Sequence, residues 1–355
     1  VNFSIFVIKL LYNKLKVFNR RDMAKEDKSV WLIFFEGIKI YCLNIHKFLL
    51  YMAFPVLGQL IGLFLIFGLT YWYTQNLQEL TAKFPLLNDL SVMLLCIILS
   101  IIPGLLIWAK AFWDYLVSYG ALNSMTDGYL NTGRVYDFKA HNSVVTQKTF
   151  SFIALWLLFS VFTLIAVIPI FWIIGFVFFI YFILIFQVFA FENGLSPVGY
   201  FRRSLQLIKG KFSRTFLLMM LLVVFTYYFL TAGLGVIFDA LNITKPLAKV
   251  FEVWAYGLPL EPLEPFHVTP ALIGSELVKQ IVFFIVIGFT LPIRSICWTL
   301  WYNNLASETD VLPVKPKKKS KKSSSKKVSA KTFKIEKRGI DPEIIRRARL
   351  EDDEY

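Results

Sequence analysis

Arg294 is the residue best placed to do chemistry, because it follows Pro292 by two positions near the end of a long apolar run. A guanidinium in that setting either reaches along its stem to the nearer water interface or turns inward and meets an anion. The first is the expectation. Lys110 and Asp114 stand four residues apart at the end of another run, a spacing that pairs them on one helical face as a boundary salt bridge. Gln59 and Gln187 lie inside apolar runs, where an interhelical hydrogen bond is expected of each. Cys42 and His46 are also four apart, but two ligands do not make a metal site and none is expected. The G-x-S-x-G, H-E-x-x-H and P-loop patterns are absent from the chain, so neither enzymatic activity nor a cofactor is expected.

The elements that would position these residues are membrane helices. Soluble domains carry roughly 45–50% apolar and about 25% charged residues, whereas this chain is 57% hydrophobic and 17% charged, with 36 Phe. Its net charge of +14 is spread through short segments between apolar runs, which argues against a single basic nucleic-acid-binding domain. The three cysteines, Cys42, Cys96 and Cys297, show no C-x-x-C spacing, so neither a disulfide framework nor a zinc site is expected. Residues 1–30 form a basic N-terminal segment in which Met23 offers an alternative start.

A hydrocarbon core of about 30 Å needs roughly 20 apolar residues at about 1.5 Å each. Six runs meet that length, approximately 48–72, 92–111, 150–168, 170–191, 215–238 and 281–300. The expected fold is an all-α polytopic transmembrane bundle of about six helices with interfacial amphipathic helices, its membrane domain spanning 31–304. The third and fourth runs meet at Pro169, which predicts a tight helical hairpin in place of one kinked helix. With the N-terminus inside, Lys and Arg divide 34 to 4 between the two sides, and still 18 to 4 without the residues from Arg294 onward. Positive residues stay cytoplasmic, so both termini are expected inside, in the cell membrane, with His141 and His267 on opposite faces. Pro55, Pro103-Gly104, Gly233, Gly235 and Pro292 interrupt the runs, as in transporters and also in ordinary kinks. Gly58 and Gly62 form a G-x-x-x-G pattern that reads as packing.

Two cytoplasmic segments read as amphipathic helices lying in the interface. One opens with Ser196 as N-cap and Pro197 at the first helical position and closes at Gly210. Val198, Phe201, Leu205 and Ile208 form its apolar face, opposite Arg202, Arg203, Gln206 and Lys209. The other is 31–47. Each leads through a basic boundary into a crossing, at 44–50 and 210–218, a similarity that suggests a repeated unit. From about 305 the chain becomes a lysine- and serine-rich tail, expected to be disordered. Its expected partners are anionic lipid headgroups of the bilayer or a cytoplasmic protein, with nucleic acid or the ribosome third.

The stretch 192–216 resembles a pattern in a broad group of prokaryotic membrane proteins, among them the membrane domain found ahead of some glycerophosphoryl diester phosphodiesterases. Glu192 at the end of a crossing, Pro197, the Arg203-Ser204 pair and Lys209-Gly210-Lys211-Phe212 carry the resemblance, and the layout of 30–304 is similar. It implies a bacterial or archaeal cytoplasmic membrane. It implies no phosphodiesterase activity, since hydrolysis in that group belongs to a separate barrel domain that the polar tail here does not form. On these matched residues, Glu192 and Arg203 are expected to pair and pin the interfacial helix beneath the bundle. The resulting expectation is a non-enzymatic membrane-organising or scaffold component. The alternative is a small-solute transporter or channel that uses the interrupted first, second and sixth helices and Arg294.

Overall fold

Each apolar run of the sequence is helical, and several of the helices continue well past the apolar limit. The computed structural model describes residues 29–133, 135, 138–257 and 267–311; the Met23 segment and the lysine-rich tail lie outside the described residues. Helix α1, Val30–Leu43, is followed after Asn44 by α2, Ile45–Gln75, the first crossing. A short α3, Leu77–Lys83, leads to α4, Leu90–Thr132. Asp89 caps the start of α4 by accepting from Ser91 N at 2.8 Å, and Gly133 ends it in the left-handed conformation at φ 77°. Then come α5, Phe138–Thr146, and α6, Thr149–Val167, and after a single turn at Pro169–Phe171, α7, Trp172–Phe182, and α8, Ile185–Phe191. Helix α9 is Pro197–Ile208. The fifth crossing consists of α10, Phe212–Val223, a π-helical segment, Val224–Phe229, and α11, Leu230–Ala240. Finally α12, Thr244–Ala255, packs on α13, Pro270–Val311. No strand occurs among the described residues.

Six stretches are long and apolar enough to cross a membrane: Ile45–Tyr73, Ser91–Thr132, Thr149–Ala166, Pro169–Phe191, Phe212–Ala240 and Pro270–Ser307. Their outward surface suits lipid, with Phe150 89%, Ile170 82% and Ile173 83% exposed; a protein surrounded by water rarely shows so much contiguous apolar surface. The chain is therefore an all-α, multi-pass membrane protein. Proline at 169 turns the third crossing into the fourth as a hairpin, and Gly175 lets α7 close on Ala166.

Two spans correct the lengths expected from the apolar runs. Helix α4 does not end near 111 but runs to Thr132, because Val117, Ala121, Leu122 and Met125 are buried against protein and the polar Asn123 and Thr126 find partners there. A helix covered by protein needs no apolar face toward lipid. Likewise α13 begins at Pro270, eleven residues before the expected 281, with its early turns packed on α12. The 31–47 segment is also divided, at Asn44, so the first crossing starts three residues earlier than expected.

Helix α13 is the axis of the bundle: 61% of its most apolar window is buried, against 6–44% for the other five spans. Ile296, Cys297 and Trp301 are fully enclosed on it. Helices α2 and α4 meet through glycine. A Cβ added to Gly62 would lie 2.7 Å from Trp108 N and 2.8 Å from Gly104 O, so the two backbones are in contact, as the G-x-x-x-G pattern expects. In α9, Ser196 Oγ accepts from Gly199 N at 3.2 Å and Gly210 takes φ 84°, but the packed face is Tyr200, Ser204, Leu207 and Ile208. Val198, expected on that face, is 66% exposed; packing follows Ser204, which donates to Tyr181 O at 2.7 Å, and this turns the stripe.

Candidate functional site

Pro292 cannot donate the backbone bond that Gly288 O would accept in an unbroken helix. Around that gap, side chains take neighbouring carbonyls of α13: Tyr41 OH donates to Phe289 O at 2.9 Å, and Arg294 Nη2 donates to Ile287 O at 2.7 Å. Helical side chains point back toward the helix N-terminus, so Arg294 runs along its own helix toward the helix middle. Its Nη1 donates to Tyr227 OH, and its guanidinium carbon stands 5.2 Å from the centre of that ring. Tyr115 and Tyr119 of α4 also interact with the guanidinium. The expected reach to the nearer interface is thus corrected. A carbonyl beside the proline gap and tyrosine hydroxyls from two other helices offer partners inside the bundle, and the stem follows them.

Among the described residues, this cation is held only by neutral groups. Among the described residues no carboxylate forms an ion pair with Arg294, and its Nε is buried without a hydrogen-bond partner. Tyr227 sits in the π-helical segment, so the arginine lies where two helices are irregular at once. Next to it, Ser295 Oγ donates at 2.7 Å to Asn123 Oδ1, which also accepts from Thr299 Oγ1 and Gln187 Nε2 at 3.3 Å each. Asn123 Nδ2 donates to Phe186 O at 3.4 Å, so this wholly buried amide joins α4, α8 and α13. Gln187 makes the interhelical bond expected of it; its Oε1 is buried without a partner at hydrogen-bonding distance, although Tyr119, which also interacts with Arg294, lies beside it. Gln59 departs from expectation and donates to Pro55 O four residues earlier on its own helix, at 3.1 Å.

A second polar group lies at the end of the fourth crossing. Arg203 Nε donates to both oxygens of Glu192, and Tyr302 OH donates to Oε1 at 2.9 Å. Trp301 Nε1 donates to Thr215 Oγ1 at 3.0 Å nearby on α13 and α10. Lys110 and Asp114 pair at 2.5 Å with most of the lysine exposed, away from both groups. His141 is buried beside Ser124, whose Oγ lies 3.0 Å from Nδ1, and Cys42 is exposed, its thiol pushed above the ordinary range by desolvation. Among the described residues no three of His, Cys, Asp or Glu gather as metal ligands.

Of the sequence-selected residues, the structure brings together Glu192 with Arg203 and Lys110 with Asp114, keeps Ser204 on the packed face of α9, and sets Arg294 apart from all of them. Sequence reasoning missed Asn123, Tyr115, Tyr119 and Tyr227. The first three fall beyond the apolar run that ends near 111, and the signal that was there is the helical spacing of Val117, Ala121 and Met125. What the Arg294 group can do chemically is bind an anion: a planar cation with a spare N–H, flanked by hydroxyl donors, complements a carboxylate or phosphate. Comparison of the chain with protein-family models, with curated proteins and with solved structures finds no match.

Proposed function

We propose that this chain is a cytoplasmic-membrane protein, with its N- and C-terminal sides in the cytoplasm, that binds the anionic group of a small solute at Arg294 and transports it across the bilayer. One observation carries the reading: a guanidinium inside an apolar span, held among the described residues by neutral partners alone, with its Nε–H left over. Arginine within a membrane span costs at least about 2.5–3.5 kcal/mol on insertion scales, and such residues mark pathways and ligand sites. The irregular backbone at Pro292 and at Val224–Phe229 supports the same reading, since carriers build their midplane sites from interrupted helices. Orientation is supported by the 34 to 4 division of Lys and Arg; reporter fusions after Pro169 and Asn242 are expected to read the outer side. The scaffold reading rests on the lysine-rich tail.

Purified protein reconstituted in liposomes tests the proposal by uptake of inorganic phosphate, lactate and glutamate. Arg294→Gln is expected to abolish the flux while circular dichroism keeps its helical signature. Absence of flux for every probe with the unaltered chain, together with loss of vesicle binding on deleting 315–355, would favour the scaffold.

A further inference from the structure

A cleft of about 380 Å3 opens between α11, α12 and α13. Thr231, Gly235 and Asp239 line it from α11, Lys245 from α12, and Lys279 and Val282 from α13. Lys279 pairs with Glu276 at 2.6 Å and Asp239 Oδ1 accepts from Thr244 Oγ1 at 2.6 Å, whereas Lys245 has no ion pair among the described residues. Of the four lysines that the charge distribution assigns to the outer side, Lys83, Lys245, Lys249 and Lys279, two line this cleft, Lys245 from α12 and Lys279 from the early turns of α13.

One residue of the cleft stands close to Tyr227, the partner of Arg294. Thr231 is one helical turn, about 5.4 Å, beyond Tyr227, and its Oγ1 bonds back to Thr226 O at 3.5 Å in the π-helical segment. Phe283, adjacent to Val282, packs on the Tyr227 ring with centroids 5.7 Å apart. A Cβ on Gly235 would meet nothing within 4 Å, so no neighbour crowds the cleft at this point of α11.

The geometry points to this cleft as a water-filled vestibule that brings the anionic group to Arg294 from the α12 side, with Lys245 as its first cationic contact. The destination rests on the transport reading; the wetness and charge of the cleft do not.

The test uses the full chain in lipid nanodiscs, with Cys42→Ser and Cys96→Ser removing the native thiols that are not buried. Thr231→Cys is treated with an anionic sulfonatoethyl and a cationic trimethylammonium-ethyl methanethiosulfonate. Both are expected to modify it, and Lys245→Glu is expected to slow the anionic reagent and speed the cationic one, each several-fold. Val236→Cys, on the 67% exposed outer face of α11, is expected to stay unmodified. Gly235→Cys replaces Thr231→Cys if that variant misfolds. Absence of modification at the cleft thiol, or an equal effect of Lys245→Glu on both reagents, overturns the vestibule. If liposome flux fails while the charge-dependent labelling holds, the Arg294 reading falls and the vestibule stands.

Discussion

Arg203 Nε is shared between the two carboxylate oxygens of Glu192, at 2.9 and 3.1 Å, while Glu192 is 1% exposed and also accepts from Tyr302 OH. One carboxylate therefore ties the end of the fourth crossing to α9 and α13. Removing one member of a buried pair costs about 3–5 kcal/mol, because the survivor keeps its desolvation without its partner. The Arg203 side chain is 14% exposed, which places the expected loss at the lower end. Arg203→Ala should lower the thermal unfolding midpoint in detergent and open the loop before α9 to protease, and adding Glu192→Gln should restore part of the midpoint. An unchanged midpoint in Arg203→Ala would sink the idea that this pair pins α9.

Asn123 predicts a second loss. Its Oδ1 is the acceptor for Ser295, Thr299 and Gln187, and an unsatisfied buried polar group costs about 1–3 kcal/mol. Asn123→Ala is expected to fall in that range, with Thr299→Val costing less because its bond is long at 3.3 Å. Unfolding midpoints of the two variants in the same detergent decide the order; a larger effect of Thr299→Val would refute the hub.

The glycines give a prediction of opposite signs. Gly62→Val forces a branched side chain into the backbone of α4, and overpacking of that kind costs about 1–3 kcal/mol. Gly68, on the same helix, has nothing within 4 Å of a built Cβ, so Gly68→Ala should be neutral or stabilising by up to about 1 kcal/mol through helix propensity. Thermostability of the two variants is the measurement.

Tyr41 links α1 to the Pro292 region through its bond to Phe289 O. Burial first, and Cys42 second, push its phenol up to about 12 from an ordinary value near 10. The folded state holds this proton more tightly than the unfolded one, so the stabilisation is complete below about pH 10 and is lost as pH rises through about 12. Tyr41→Phe should cost about 1 kcal/mol near neutral pH and lack this alkaline loss. The offset between the two unfolding curves is expected to narrow between pH 10 and 12; a constant offset would contradict the assignment.

Six crossings and the Pro169 hairpin were legible because apolar length and proline geometry are local properties. The Ser196 cap, the Gly210 turn and the Glu192–Arg203 pair were legible because their partners lie within about a dozen residues. Asn123 was not, since its partners sit 63 to 176 positions away and an asparagine after an apolar run reads as loop. The direction of Arg294 was hidden for a similar reason. Interface and interior were both open to its stem, and the choice was made by Tyr227, 67 residues earlier, together with a carbonyl beside the Pro292 gap.

Nothing in its residues sets the π-helical segment Val224–Phe229 apart from the apolar run around it, yet it decides which way α11 faces. Each residue of an α-helix advances about 100° around the axis, so one residue accommodated in a wider turn rotates everything beyond it by that amount. Thr231 and Gly235 are thereby dialled toward α12 and α13 while Phe229 and Val236 look outward. The fifth crossing works as a vernier: a single inserted residue, too small a change to alter its length visibly, selects the angular setting of the half that holds the cleft relative to the half that packs on the bundle.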